Sequence, residues 1–258
     1  MNKELSVTFL GTGTSMGVPV IGCKCEVCQS IDPKDTRLRT SLLLEYNGES
    51  VVFDSGPDFR YQMLRAKVDH LSGLVFTHEH KDHVAGMDDV RAFNFIQKQA
   101  VTIYAHERVE QALRNEFHYA FAAIKYPGVP DIQFERITKD HSFEIAGKQF
   151  IPIEVMHHKL PVLGFRIDDF TYITDANYIS PEEKDKIRGS KVLVLNALRK
   201  ESHISHFTLQ QAIDLVKELE VEQAYFTHIS HQLGRHNDVS EELPSNISIA
   251  YDGLQVQI

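Results

Sequence analysis

Apolar residues recur along this chain in short period-two or continuous runs, separated by longer stretches of helical period. Strand-like runs fall near 4–10, 41–46, 50–54, 73–77 and 101–105, and again near 149–155, 163–167, 171–174, 191–195, 223–227 and 247–257. Helical patterns lie near 58–67, 107–122, 181–188 and 208–220. The last is the best marked. Thr208-Leu-Gln-Gln211 forms a capping box, and Leu209, Ile213, Leu215, Val216 and Leu219 make one apolar face. Strands come first in hairpin-like pairs and later alternate with helices, which predicts an α/β fold of mixed sheets covered by helices. No linker, repeat or low-complexity stretch divides the chain, so a single domain over 1–258 is expected. The segment 123–141, with Pro127, Gly128 and Pro130, reads as a surface excursion between halves.

Composition narrows the class. Hydrophobic content of 42% and charged content of 24% are ordinary for a water-exposed globular chain. The longest apolar runs, such as Lys191-Val-Leu-Val-Leu-Asn196, are strand-sized and far short of the roughly 18 residues of a membrane span. Met1-Asn-Lys-Glu-Leu-Ser-Val opens without an apolar core, so no signal peptide and no membrane partner are expected, and the cytoplasm is the expected compartment. The formal charge is −9, with Lys and Arg scattered, which argues against broad binding to nucleic acid. A small anionic substrate stays compatible, because bound divalent cations make a site locally positive. No segment marks a dimer interface, and a homodimer stays open.

All 3 cysteines fall within six positions, at Cys23, Cys25 and Cys28. A disulfide framework would spread them along the chain, so metal binding is the better reading. The chain also carries 14 histidines, and their placement is informative. Thr77-His78-Glu-His80-Lys-Asp82-His83 follows the apolar run Leu71-Ser-Gly-Leu-Val-Phe76. Residues two apart at a strand end point the same way, so His78 and His80 can grip one ion. If the chain then turns into a helix, Asp82 and His83 face a neighbouring position and can grip a second. Imidazole and carboxylate suit Zn²⁺, Mn²⁺ or Fe²⁺.

This H-x-H-x-D-H pattern resembles that of the metallo-β-lactamase superfamily, whose fold is an αββα four-layer sandwich of two mixed sheets flanked by helices. The resemblance extends along most of the chain. Leu10-Gly-Thr-Gly-Thr-Ser-Met-Gly17 is similar to the glycine-rich turn after that fold's first strand. Phe53-Asp54-Ser-Gly56 is similar to a motif whose aspartate orients a metal-bound histidine, a role that falls on Asp54. Met156-His157-His158 matches the motif supplying a third histidine to the first ion. His157 aligns better than His158, although a one-residue slip would swap their faces. Tyr172-Ile-Thr-Asp175 ends where the family places a carboxylate shared by both ions, and Tyr225-Phe-Thr-His228 matches the last ligand of the second. The resemblance thus implies His78, His80, His157 and Asp175 on one ion, and Asp82, His83, His228 and Asp175 on the other.

Gly22-Cys23-Lys-Cys25-Glu-Val-Cys28 is similar to the cysteine trio of the PhnP-type cyclic phosphodiesterases. The resemblance implies a structural zinc closed by a histidine three residues beyond the last active-site histidine, here His231. In that branch a histidine ahead of an amphipathic helix protonates the departing oxygen. Ser205-His206-Phe207 places His206 there, a role suited to an imidazole titrating near neutrality. His203 is the local competitor. In Met87-Asp-Asp-Val-Arg91-Ala-Phe-Asn94, Arg91 is a candidate phosphate clamp and Asn94 its helper, and a solvated helix face explains the segment equally well.

The implied activity is that of a dinuclear metal-dependent phosphodiesterase on a small cyclic phosphodiester, a ribosyl or nucleoside cyclic phosphate. A hydroxide shared by the ions would attack phosphorus, with Asp82 and His206 as catalytic residues. Three rivals stand beside it: a tRNA 3′-processing nuclease resembling RNase Z, a lactone or thioester hydrolase, and a non-catalytic metal-binding module.

Overall fold

The computed structural model describes residues 5–258. The first sheet is built from β1 (Ser6–Gly11), β2 (Ser41–Tyr46), β3 (Glu49–Phe53), β4 (Gly73–Val75), β5 (Val101–Ala105) and β6 (Ile132–Arg136). The second takes β7 (Phe143–Ile145), β8 (Lys148–His157), β9 (Leu160–Ile167), β10 (Phe170–Tyr172), β11 (Tyr178–Ile179), β12 (Val192–Asn196), β13 (Gln223–Thr227) and β14 (Ile247–Ile249). The final strand, β15 (Gln255–Gln257), returns to the first sheet and pairs antiparallel with β1. Both sheets are mixed: β1–β2–β3 is antiparallel while β3–β4–β5–β6 is parallel, and β10–β12–β13–β14 is parallel behind antiparallel β8–β9–β10.

Alternation along the strands sorts the core into three layers. Leu42 and Leu44 of β2 and Phe53 of β3 face the second sheet and meet Phe150, Phe165 and Tyr172. Phe53 is the centre of this contact, its ring 5.5 Å from Phe165 and 5.2 Å from Tyr172. The alternate residues Leu43 and Val52 face outward onto α1 (Phe59–Ala66), α2 (Lys81–Val84), α3 (Arg91–Gln97) and α4 (Glu107–Glu116). The outer face of the second sheet, with Leu193, Leu195 and Phe226, is covered by α5 (Pro181–Ile187), α6 (Leu209–Glu218) and α7 (His236–Glu241). Helix, sheet, sheet, helix is the four-layer αββα sandwich that the sequence resemblance implied. No helix of the described residues is long and apolar enough to cross a membrane.

The predicted elements fall close to those observed, and the capping box of α6 forms as read: Thr208 accepts the Gln211 amide and Gln211 reaches back to the Thr208 amide. Residue 4 of the predicted first strand lies outside the described residues. Three readings need correction. The excursion at 123–141 contains β6, an edge strand whose exposed, charged alternate positions hid its period. The predicted strand 247–257 breaks at Tyr251-Asp252-Gly253 into two strands of different sheets, with Gly253 at φ +91. The predicted helix 107–122 stops at Glu116 and continues as a short 3-10 turn at His118–Phe121.

Strands β3, β4, β8, β10 and β13 all end at one rim, where the loops leave for the helices. There the loop after β3 lies directly against α2: Ser55 N–H donates to His83 O and Gly86 N–H to Ser55 O, each at 2.8 Å. This approach needs glycine at 56, because a Cβ there would stand 2.0 Å from Asp82 O. We therefore expect Gly56→Ala to cost about 1–3 kcal/mol in urea unfolding, the range of forced overpacking. A variant as stable as the parent would show that this contact yields freely.

Candidate metal centre

The rim gathers seven imidazoles and carboxylates from both sheets. After β4 the chain passes through Thr77 and His78, both buried, and reaches exposed His80 before α2 presents Asp82 and His83. The helical turn expected from the sequence is α2 itself. From the second sheet come His157 at the end of β8, Asp175 after β10 and His228 after β13. The His78 ring centre lies 4.6 Å from that of His80, 4.2 Å from His83 and 5.8 Å from His157. Asp175 Oδ2 stands 3.3 Å from His83 Nε2 and 3.3 Å from His228 Nδ1.

Ligand atoms of Asp82, His83 and His228 lie within 4.8 Å of one another, as do those of His78, His83 and Asp175. His80 is in none of these tight groups; its ring centre is 5.1 Å from that of His157. His157 faces the cluster, 8% exposed, whereas His158 is exposed and its amide donates to Asn177 Oδ1 at 2.7 Å. The side-chain alternation of β8 thus puts only the first of the two on this face.

The ring nitrogens turned away from the cluster are held by the protein. Asp54 receives the Thr77 amide and hydroxyl, each at 2.9 Å, and its Oδ2 lies 2.7 Å from His83 Nδ1. His78 Nδ1 lies 3.0 Å from Thr77 Oγ1, and His157 Nδ1 is 2.9 Å from Ser205 O. The nitrogens turned inward, His78 Nε2, His83 Nε2 and His228 Nδ1, are buried with no hydrogen-bond partner among the described residues. An unmet buried polar atom costs about 1–3 kcal/mol, so their convergence on shared carboxylates fits a cation.

Charge tells the same story. Burial opposes protonation of His83, yet Asp175, Asp54 and Asp82 around it hold its imidazole well above the ordinary range. Burial opposes ionisation of Asp175, yet His228 and His83 keep its carboxyl well below the usual value. The carboxylates thus demand positive charge at this point, which an ion would supply while displacing the proton. Asp54, Asp175 and His228 all sit at positive φ, +62, +54 and +57. Such conformations cost about 1–3 kcal/mol each in non-glycine residues and persist only where the surroundings impose them.

His206 lies at the edge of this cluster. Its ring centre is 4.5 Å from that of His157 and 4.8 Å from His228, and its Nδ1 is 3.9 Å from Asp175 Oδ1. Burial first, and His228 next, push its imidazole down to about 3, well below the near-neutral value expected from the sequence. The His203 ring lies tilted against it, centres 5.1 Å apart, with its Nδ1 turned to Ser205. A cavity of roughly 460 Å³ opens beside His80 and His157, walled by His158, Lys159, Leu160, Ile204 and Ser205.

Among the described residues, neither Arg91 nor Asn94, read from the sequence as a substrate clamp, makes a hydrogen bond or ion pair to the cluster. Asn94 spends its amide on the Gln99 and Asp131 carbonyls and the Asp131 amide, each at 2.9 Å, tying down the end of α3. Arg91 pairs with Asp88 at 3.0 Å on a half-exposed face. Both were read from residue type, and neither reading could see which face of α3 turns toward the rim. Sequence reasoning passed over Thr77 and Thr174, whose hydroxyls hold Asp54, His78 and Asp175. Their position one residue before a candidate ligand was the available signal. The Ser205 carbonyl had none, being main chain.

Apart from this cluster, Cys23, Cys25, Cys28 and His231 converge within 4.8 Å, with His231 Nδ1 at 3.5 Å from Cys23 Sγ and 3.3 Å from Cys25 Sγ. The His231 contact holds the Cys25 thiol down to about 6, and burial pushes Cys28 up to about 11. Amides of Cys28 and Val20 donate to Cys25 and Cys28 sulfur at 3.4 and 3.3 Å. Three sulfurs and one imidazole in this closed arrangement fit a tetrahedral structural ion.

Residues 49–229 match the family described as "Beta-lactamase superfamily domain". A solved structure described as a new diphosphatase from the PhnP family superposes with a TM-score of 0.93 at 38% identity, covering 99% of this chain and 97% of that one. A Porphyromonas gingivalis protein named octanoyltransferase is 39% identical over 252 residues, 97% of this chain and 51% of that protein. The chain therefore spans about half the length of that relative, and the rest of it lies outside the match. A Methanopyrus kandleri protein named ribonuclease Z is 20% identical, over 100% of this chain and 99% of its own length. With its two-sheet sandwich and its rim of histidines and aspartates, the chain belongs to the metallo-β-lactamase superfamily, on the PhnP-type branch.

Proposed function

We propose that the chain is a dinuclear metal-dependent phosphodiesterase acting on a small cyclic phosphodiester. The observation that carries this reading is buried Asp175, equidistant from His83 and His228, with inward ring nitrogens that no hydrogen bond among the described residues satisfies. His78, His80, His157 and Asp175 would hold one ion, and Asp82, His83, His228 and Asp175 the other. Zn²⁺ or Mn²⁺ suits both sets, and Fe²⁺ is compatible. When bound, such ions supply Lewis acidity toward phosphoryl oxygens and lower the pKa of water.

The chain's own residues supply the rest. Asp54 fixes His83, the Ser205 carbonyl fixes His157, and the Thr174 hydroxyl fixes Asp175, so these three need not reorganise. The adjoining cavity, roughly 460 Å³, takes a substrate of sugar or nucleoside size. His206, at the edge of the cluster beside His157, would deliver a proton to the departing alkoxide as the P–O bond breaks, provided that the anionic phosphodiester beside it raises its imidazole from about 3. Opening a cyclic ester this way leaves a phosphomonoester with a free hydroxyl next to it. Cys23, Cys25, Cys28 and His231 would hold a structural zinc, so the segment ending β13 would serve both centres.

The reading is tested by a hydrolysis panel on zinc- and manganese-loaded protein: bis-p-nitrophenyl phosphate, 2′,3′-cyclic nucleotides, ribosyl 1,2-cyclic phosphate, an octanoyl thioester and precursor tRNA. Turnover of the small diesters, abolished by chelation and restored by metal, is expected. Preferential cleavage of precursor tRNA at low enzyme concentration would instead favour a processing nuclease, and thioester turnover alone would favour acyl chemistry. His206→Ala should lower kcat by about 10²–10⁴-fold on cyclic esters, whose alkoxide needs a proton, and far less on p-nitrophenyl esters, whose leaving group does not. Parent-like turnover of a cyclic ester by this variant would remove His206 from the chemistry. Cys25→Ser should lower the melting temperature and release the structural ion while the rim keeps its metal; equal loss at both centres would contradict separate roles.

A further inference from the structure

The last histidine of the rim is held in a conformation that its own segment does not enforce. His228 sits at φ +57, and the main chain around it is held from two sides. From the second sheet, Ala197 N–H donates to Thr227 O and Ser230 N–H to Leu198 O, each at 3.0 Å. From the first, the glycine-rich turn after β1 grips Ile229: its N–H donates to Thr12 O at 2.8 Å, and its carbonyl accepts Thr14 N–H at 3.0 Å. Main-chain bonds anchor the turn at Gly13, whose N–H donates to Leu38 O at 2.8 Å and whose carbonyl accepts the Thr40 amide at 3.0 Å and hydroxyl at 2.9 Å. Thr12, one residue earlier, is anchored through its own amide and hydroxyl.

That anchoring comes from two buried charges that the proposed hydrolysis does not use. Asp252, in the turn between β14 and β15, accepts the Thr12 amide at 2.9 Å and the Thr12 hydroxyl at 2.8 Å on Oδ1, and the Leu38 amide at 2.8 Å on Oδ2. Arg37, 4% exposed, donates from one guanidinium nitrogen to the Thr12 hydroxyl oxygen at 2.9 Å and to Ala250 O at 2.6 Å. The Thr12 hydroxyl thus donates to the carboxylate and accepts from the guanidinium. Burying a charge is costly unless it is paired or fully hydrogen-bonded, and both of these converge on one threonine. Asp252 is 240 positions from Thr12 in the chain, so this is a long-range strut rather than a local cap.

We propose that Asp252 and Arg37 are positioning residues for the segment from His228 to His231. They lock Thr12, the turn locks Ile229, and the locked segment sets His228 at the rim and His231 beside the cysteines. The inference rests on the metal-centre reading above and extends it to residues that touch neither ion.

The test compares the parent chain, Asp252→Ala, Thr12→Val and Ile187→Ala, a core variant in α5 remote from the strut. Each is stripped, reloaded with Co²⁺ and titrated against a chelator, following the thiolate-to-cobalt band for the cysteine site and the ligand-field band for the rim. Asp252→Ala should weaken cobalt binding at both sites by about 10- to 100-fold, the range for removal of an orienting partner. Thr12→Val should shift both in the same direction by less, and Ile187→Ala should lose melting temperature yet keep parent affinities. Parent affinities in folded Asp252→Ala would overturn the proposal. So would an equal loss of affinity in Ile187→Ala, since general destabilisation would then explain the effect. If Asp252→Ala does not fold, Thr12→Val decides, and parent affinity at both of its sites sinks the strut. A parent chain that takes up no cobalt would sink the metal-centre reading, and the strut with it.

Discussion

Asp175 is fully enclosed, with His83 and His228 each 3.3 Å from the same carboxylate oxygen. A carboxylate in such a place is tolerable only with positive charge beside it, and imidazoles whose inward nitrogens lack partners are tolerable only with an acceptor or a cation. A cation between them would meet both requirements. Much of the surrounding structure exists to keep this costly arrangement from relaxing. Asp54 pins His83 from behind, Thr174 pins Asp175, and left-handed backbone at Asp54, Asp175 and His228 turns each side chain sharply inward at the end of its strand.

The sandwich makes that possible by giving the site two independent walls. The first sheet delivers His78, His80, Asp82 and His83 from the loop between β4 and α2. The second delivers His157, Asp175 and His228 from three separate strand ends. The sheets are welded by aromatic packing around Phe53, so the walls meet at a fixed separation. At the rim itself there is no such core, and polar contacts take over: the glycine-rich turn, Arg37 and Asp252 tie the first sheet's loops to the segment carrying His228 and His231.

Family relationship and chemistry divide along the same line. The match over residues 49–229 and the PhnP-family neighbour place the fold and the branch. The similar chains named octanoyltransferase and ribonuclease Z carry names of different activities, and the first of them is about twice as long as the part it shares.

Local pattern alone carried the strands, the capped helix at Thr208 and the H-x-H-x-D-H motif, because each is a matter of period or spacing within a few residues. The cysteine trio was legible for the same reason. Only the folded chain could decide that His157 rather than His158 faces the rim, since that depends on the register of β8 against its neighbours. It also turned Asn94 away to bind Asp131 and left Arg91 paired with Asp88, outcomes set by which face of α3 packs inward. The edge strand β6 and the split of 247–257 between two sheets escaped the pattern because solvent-facing alternation and a mid-run turn erase the apolar period. Above all, the meeting of Asp252 with Thr12 was invisible from the residues, because contacts 240 positions apart are made by topology and not by neighbouring residue types.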